Sequence, residues 1–345
     1  MNPITIEPFD LAGVTPEAYA ALHAHRQVLR AERQPDDPAT TLEDMIQNMR
    51  TIPPFVQMAA WVVWDAAREA ILAEGNAVRF RVGENAHLVQ FDISVLPAYR
   101  RQGLGRAMLA EIVAMAQAEE RRLLVTMTNG RVPAGAAFMQ RIGARPGMET
   151  HVNQLDLAEL DRALLADWLG IGTARQDAYE LGLWDGPFPE ADIAAAAELM
   201  TVMNQAPHGD IELNDMQFTP EQLRQMEANE AARGISRWIY YVRERTSGEL
   251  VGFTATHWLP SRPQLLSQGD TGVFPAHRGQ GLGKWLKAAM LQKVLAERPQ
   301  VRHVRTGNAD SNAPMLAINH ALGFRPYLSQ CIWQVEVETA AAYLG

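Results

Sequence analysis

The sequence predicts a duplicated α/β (α+β) fold, each half a mixed, mostly antiparallel central sheet flanked by helices. Three observations carry that expectation. First, Val95 to Leu109 (VLPAYRRQGLGRAML) reappears as Val273 to Lys287 (VFPAHRGQGLGKWLK), with eight positions identical, far above what composition alone would give. Second, each copy runs from an apolar strand-like stretch through a Gly-rich turn into helical periodicity: Leu104, Met108, Ile112 and Met115 in one, Leu282, Leu286, Met290 and Val294 in the other. Third, at 345 residues the chain is long for one core, and its 47% hydrophobic content suffices for two.

The elements follow in order. Ile4 to Pro8 reads as a first strand, followed by helices over Pro16 to Arg33 and Leu42 to Arg50, then strands at Met58 to Trp64, Ala70 to Val82 and His87 to Leu96. The second half replays this with helices at Ile193 to Asn204 and Pro220 to Arg233 and strands at Arg237 to Glu244 and Leu250 to Leu259, joined by the turn Thr246-Ser247-Gly248-Glu249. After each loop helix come a strand (Leu123 to Thr128; Val301 to Thr306), another helix and a last strand (His151 to Leu157; Gln330 to Val337). The expected domains are residues 1–160 and 179–345, with 161–178 as the connection.

The glycines open a helix, where backbone N–H groups lack intrahelical partners and the aligned peptides place roughly +0.5 charge. An anion completes such a site, and residues without Cβ let a phosphate approach the backbone. A lone glycine-rich helix start is commonly just a tight turn, but two copies argue for the anion. Neither is a dinucleotide fingerprint, because Met108 and Leu286 replace its third glycine. Nor is the second a Walker A loop: Gly279 to Lys284 is one residue short, and Trp285 stands where Ser or Thr would bind magnesium.

Arg100-Arg101-Gln102-Gly103-Leu104-Gly105 and Arg278-Gly279-Gln280-Gly281-Leu282-Gly283 resemble the acyl-CoA pyrophosphate loop of the GNAT N-acetyltransferase superfamily. The segment Thr306 to Met315, continuing to Asn319-His320-Ala321-Leu322-Gly323-Phe324, resembles that family's last strand and helix. The tandem layout is similar to two-domain acetyltransferases of the mycothiol synthase type. The resemblance implies acetyl-CoA (CoA) as acyl donor and a small-molecule amine as acceptor. Both loops, with Arg106 in the first and Lys284 and Lys287 in the second, would bind the diphosphate. Asn308 and Asn312 would contact the pantetheine arm, and the backbone at Val273-Phe274 and Val95-Leu96 would bind the acetyl carbonyl and pantetheine amides.

An alkyl amine with a pKa near ~10.4 must lose a proton before attack. Asp270, and less so Asp92, three residues before Val273 and Val95, are candidates for base or acceptor ligand, against the alternative of a solvent-facing or turn-capping carboxylate. Many family members carry a tyrosine acid where this chain has Asn319, and Met139 is its counterpart in the first half. Asn319 can still donate a hydrogen bond; Tyr240, Tyr241 and Tyr327 are substitutes, with packing the commoner role for each. His208 and Asp210 lie in the expected acceptor-lining loop, whose composition is also that of an ordinary loop. The better-equipped second half is expected to be the catalytic one. A non-catalytic acyl-CoA-binding protein and a peptide or protein N-acetyltransferase are the alternatives.

No histidine spacing suggests a metal. The net charge of −9 argues against nucleic-acid or membrane partners and suits a cationic acceptor. One cysteine, Cys331, and the lack of a signal-like start or long apolar run point to a cytoplasmic protein, monomer or homodimer.

Overall fold

The computed structural model describes residues 4–11, 13–81 and 83–345, so Val82 of the third expected strand falls outside it. The first repeat forms β1 (Glu7–Pro8), α1 (Pro16–Arg33), α2 (Leu42–Arg50), β2 (Val56–Trp64), β3 (Ile71–Phe80), β4 (Leu88–Val95), α3 (Leu104–Ala118), β5 (Leu123–Asn129), α4 (Pro133–Arg141) and β6 (Arg145–Asp156), followed by α5 (Arg162–Arg175). The second forms β7 (Tyr179–Asp185), α6 (Ile193–Met200), α7 (Pro220–Ala232), β8 (Ser236–Glu244), β9 (Leu250–Trp258), β10 (Leu265–Val273), α8 (Leu282–Glu297), β11 (His303–Ala309), α9 (Ala313–Ala321), β12 (Arg325–Glu336) and α10 (Val337–Leu344). A short 3₁₀ turn, Pro97–Tyr99 or Pro275–His277, links each loop to its strand.

Two compact units result, and neither is continuous in sequence. The first holds residues up to Glu149 with Asp210–Asn214 and Ser329–Gly345; the second holds Thr150–Gly209 and Asp215–Leu328. The sequential division into 1–160 and 179–345 therefore does not describe the units, because the last strands are exchanged. In the second unit β6 pairs antiparallel with β11, His303 opposite Asp156 through Ala309 opposite Thr150. In the first, β12 pairs with β5, Glu336 opposite Leu123 through Gln330 opposite Asn129. Apolar burial fixes the exchange: Leu155 of β6 enters a core with Leu266, Met290, Val294 and Val304. Trp333 and Val335 of β12 enter one with Phe91, Leu109, Ile112 and Leu124. The expected connection 161–178 is mostly α5, which packs on α8.

The strand order is β1-β2-β3-β4-β5-β12 in the first unit and β7-β8-β9-β10-β11-β6 in the second. Among the described residues, β4–β5 and β10–β11 are the parallel pairs within each unit and the others are antiparallel. β7 has weak strand character in sequence because Gly182 sits at its centre. A Cβ there would lie 2.1 Å from the Tyr241 ring, so close packing against β8 excludes a side chain. β6 and β12 begin well before the expected His151 and Gln330, since Pro146 and Pro326, which read as breakers, occupy second strand positions where a missing N–H is tolerated.

Candidate active site

In each unit the parallel pair meets only at one end. β10 and β11 pair over Leu265–Ser267 and His303–Arg305, and β4 and β5 over Leu88–Gln90 and Leu123–Val125. Beyond that the strands part, and the β10 and β4 backbone facing the gap has no strand partner. Phe274 N–H donates to Val251 O at 2.9 Å and Leu96 N–H to Leu72 O at 3.0 Å. Strand alternation therefore turns the Val273 and Val95 amides into the gaps. The Phe274 and Leu96 N–H groups are taken by the neighbouring strand, so in the expected backbone segments Val273-Phe274 and Val95-Leu96 the N–H facing the gap is that of Val273 or Val95.

Each gap leads to a loop. Gly103 (φ 89°) and Gly281 (φ 83°) occupy the N-cap positions of α3 and α8 in the left-handed region that glycine adopts without strain. Neither cap makes a side-chain hydrogen bond, whereas Thr15, Thr41, Asp161 and Thr219 cap α1, α2, α5 and α7. The first-turn amides of α3 and α8 thus stay open to a ligand. A Cβ on Gly105 or Gly283 would meet only Phe138 at 3.9 Å or Ile318 at 3.5 Å, so no protein atom fills the cradle. These features fit a diphosphate. The first arginine of each loop also braces it: Arg278 Nε donates to Val273 O at 2.9 Å, and Arg100 Nε to Val95 O at 3.1 Å.

The loops differ in what their cations touch. Arg100 forks onto Glu32 (Nη1–Oε1 2.7 Å), and that hydrogen bond holds the Glu32 carboxyl below its ordinary pKa. Arg106 donates to the Leu344 carbonyl and lies over Tyr343, and Gln102 donates to Ala98 O at 3.2 Å. In the second unit Arg278 and Lys284 have no carboxylate partner among the described residues; Lys284 Nζ sits 5.4 Å from the centre of the Trp168 ring. Gln280 donates to the Tyr179 hydroxyl at 3.0 Å, which also meets His277 Nδ1 at 3.0 Å.

Asp270 sits in a register shift between Gln268 and Thr271, where β10 carries one more residue than β9. A bulge re-aims its side chain and frees backbone from the ladder. Asp270 has solvent-exposed surface, yet the surrounding protein desolvates it enough to hold its carboxyl above the ordinary range, partly offset by His257. That combination fits a carboxylate on the floor of an open cleft. His257 lies beside the bulge, where a Cβ on Gly269 would be 3.2 Å from its ring, and its Nε2 is 3.3 Å from Glu230 Oε1. Glu230 also pairs with buried Arg237 at 3.1 Å. His257 and Glu230 escape sequence reasoning because β9 and α7 meet Asp270 only through tertiary structure.

Asp92 pairs with Asn76 without a register shift. Burial raises its pKa, Arg33 and Arg26 pull it down, and Glu74 pushes it up. Glu74 is itself buried and forked onto Arg26.

Asn319 is fully buried, and its Nδ2 donates to Asn308 Oδ1 at 2.7 Å. Asn312 Oδ1 caps α9 by accepting from Met315 N at 3.3 Å, which leaves its amide N–H groups for a ligand. Lys287, expected at the phosphates, is instead 2% exposed inside the unit, its Nζ 5.7 Å from the Phe324 ring centre. Tyr241 stacks on Trp184, Arg305 lies over Tyr327, and Tyr240 packs into the core. Asp210 is built into the first unit, its N–H donating to Gly147 O at 2.8 Å, and His208 is an exposed loop residue. No group of three metal-ligating side chains occurs among the described residues, and no helix there is long and apolar enough to cross a membrane.

Paired glycine-capped loops on split mixed sheets are the arrangement expected of a tandem acyltransferase, and comparison with known proteins gives that class. Residues 58–143 match the acetyltransferase (GNAT) domain and residues 209–324 the acetyltransferase (GNAT) family. The chain belongs to the GNAT acetyltransferases. It is 28% identical over 255 residues to mycothiol acetyltransferase of Salinispora arenicola, covering 70% of this chain and 72% of that protein. The mycothiol acetyltransferase of Saccharomonospora viridis is 28% identical over 245 residues, covering 68% and 70%. A tandem GNAT protein from the clavulanic acid biosynthesis pathway superposes with a TM-score of 0.79 at 28% identity, covering 97% of this chain and 99% of that one. A GCN5-related N-acetyltransferase of Sphaerobacter thermophilus shares the fold, with a TM-score of 0.68 at 15% identity over 96% of each chain.

Proposed function

We propose that the protein transfers an acetyl group from acetyl-CoA to the amine of a small molecule, and that the second unit performs the reaction. The carrying observation is that in this unit an open loop, whose Arg278 and Lys284 have no carboxylate partner among the described residues, leads along a parted strand to a bulged carboxylate with a histidine beside it. Acetyl-CoA supplies a thioester activated toward attack. The amides of Gly281 to Gly283, with Arg278 and Lys284, hold the diphosphate, and the Val273 amide and the nitrogen of Asn312 bind farther along the arm.

Asp270 accepts the proton that an alkylammonium must lose, which its raised pKa favours. The amine then forms a C–N bond as the C–S bond breaks, and the electron pair leaves on sulfur. A thiol pKa near ~8.5 makes that departure tolerable without a tyrosine acid. His257, steadied by Glu230, tunes Asp270 and lines the acceptor side. The first unit binds the same carrier more weakly, its Arg100 being held by Glu32. The negative net charge suits a cationic acceptor, and a single cysteine fits a reducing cytoplasm.

The test is thiol release from acetyl-CoA across a panel of aminothiols, amino sugars, antibiotic amines and peptide N-termini, for wild type and Asp270→Asn. Release with at least one amine, lost in Asp270→Asn, is expected. Tight binding without turnover on any acceptor would establish an acyl-CoA sensor instead.

A further inference from the structure

Gln280 stands between two left-handed glycines of the second loop, Gly279 (φ 75°) and Gly281 (φ 83°). Glycine on both sides gives the peptides around Gln280 many accessible conformations, and only some of them aim the amides at a diphosphate. A site that is competent for part of the time binds more weakly by that fraction. Gln280 carries the side chain through which this stretch can be held.

An anchor lies within reach. Gln280 Nε2 donates to the Tyr179 hydroxyl at 3.0 Å, and the same hydroxyl hydrogen-bonds His277 Nδ1 at 3.0 Å. The two rings meet edge-on, their centres 5.9 Å apart. Tyr179 opens β7, is 4% exposed, and packs with Val242, Val251, Leu282, Trp285 and Leu286. The last three belong to α8, the helix that the loop begins. One buried hydroxyl therefore grips the chain on either side of Arg278 and Gly279.

The first unit is built differently at each of these points. Arg101 (φ 63°) takes the place of Gly279, and exposed Tyr99 that of His277. Gln102 is kept, but its Nε2 donates to Ala98 O at 3.2 Å. The side chain against that loop is Ile4, whose Cδ1 would be 3.5 Å from a Cβ on Gly103.

We propose that Tyr179 is a positioning residue for the second loop: acting through Gln280 and His277, its hydroxyl holds the backbone amides in the form that receives the diphosphate before the acyl carrier arrives. It sets affinity for the carrier and leaves the chemical step alone. This rests on the reading that the second unit binds acetyl-CoA.

The test measures acetyl-CoA binding by calorimetry with the first loop disabled by Gly105→Val. In that background Tyr179→Phe, which keeps the ring and removes the hydroxyl, should weaken binding about fivefold, the effect of losing roughly one hydrogen bond. Gln280→Met should weaken it by a similar factor, and the double variant should be no weaker than Tyr179→Phe, because both changes break one contact. With an accepted amine, KM for acetyl-CoA should rise about fivefold while kcat stays within about twofold. A lowered Tm with unchanged affinity would leave Tyr179 as packing only. Losses that multiply in the double variant, or a fall in kcat at constant KM, would show that it does not act through Gln280 on the loop; any of these three overturns the inference alone. Should Tyr179→Phe fail to fold, Gln280→Met decides, and unchanged affinity there overturns the inference. Failure of the Gly105→Val background itself to bind acetyl-CoA overturns the reading beneath it.

Discussion

The two units share a loop, a parted sheet and an aspartate, but they treat charge in opposite ways. In the first, Glu32 grips Arg100, Glu74 grips Arg26, and Asp92 lies within reach of Arg26 and Arg33, so the charges near the sheet are matched by protein. In the second, Arg278 and Lys284 have no carboxylate partner among the described residues, and Asp270 sits in a bulge where His257 offsets part of its desolvation. The difference teaches that a loop motif does not by itself set the charge around it, since two loops with the same glycine caps differ in how far protein carboxylates already hold their cations.

The largest expected effect comes from closing the cradles one at a time. Gly283→Val adds a side chain where only Ile318 is near, so the fold tolerates it, while the phosphate loses its close approach. Acetyl-CoA affinity of the second unit should fall by about 100-fold, the loss of roughly two charge-assisted hydrogen bonds. Gly105→Val should leave turnover intact; if it abolishes turnover and Gly283→Val does not, the catalytic assignment belongs to the first unit.

Next, Asp270→Asn should lower kcat/KM by roughly 10²–10⁴-fold, and Asp92→Asn by less than about threefold. The acid limb of kcat/KM should lie above the ordinary aspartate pKa and disappear in Asp270→Asn. Stability carries the opposite sign. A carboxyl whose folded pKa is raised contributes stability below its unfolded value, and this is lost as pH rises through the folded one. At neutral pH Asp270→Asn should therefore raise Tm while removing activity, and a lowered Tm would contradict the desolvated cleft.

A smaller effect sharpens the role of the histidine. His257 pulls the Asp270 pKa down, so His257→Gln should move the acid limb to higher pH and reduce kcat/KM about tenfold. An unmoved limb would leave His257 as packing only. The smallest effect tests the first loop: Glu32→Gln releases Arg100, and acetyl-CoA affinity there should rise a few-fold, since such partly exposed pairs are worth little. No change by calorimetry would show that Arg100 serves the loop only through Val95.

Much of the fold was legible in sequence because its signals are local. Helical periodicity gave α1 and α2 with their observed bounds, and the repeated phrase located both loops. The partners of the last strands were not legible, because β6 and β12 have equivalent patterns and only tertiary burial decides which sheet each closes. At the site, the glycines and Asp270 could be read from the chain. The bulge that aims Asp270, His257 beside it, the grip of Glu32 on Arg100 and the burial of Lys287 all depend on residues distant in sequence.

The exchange of β6 and β12 ties the fate of the two halves together. A gene cut near its midpoint would yield two polypeptides, each bearing a terminal strand and helix tailored to the other and each with a sheet edge left bare. Whichever half performs chemistry, the other would thus be indispensable, because each supplies the strand that closes its neighbour's sheet.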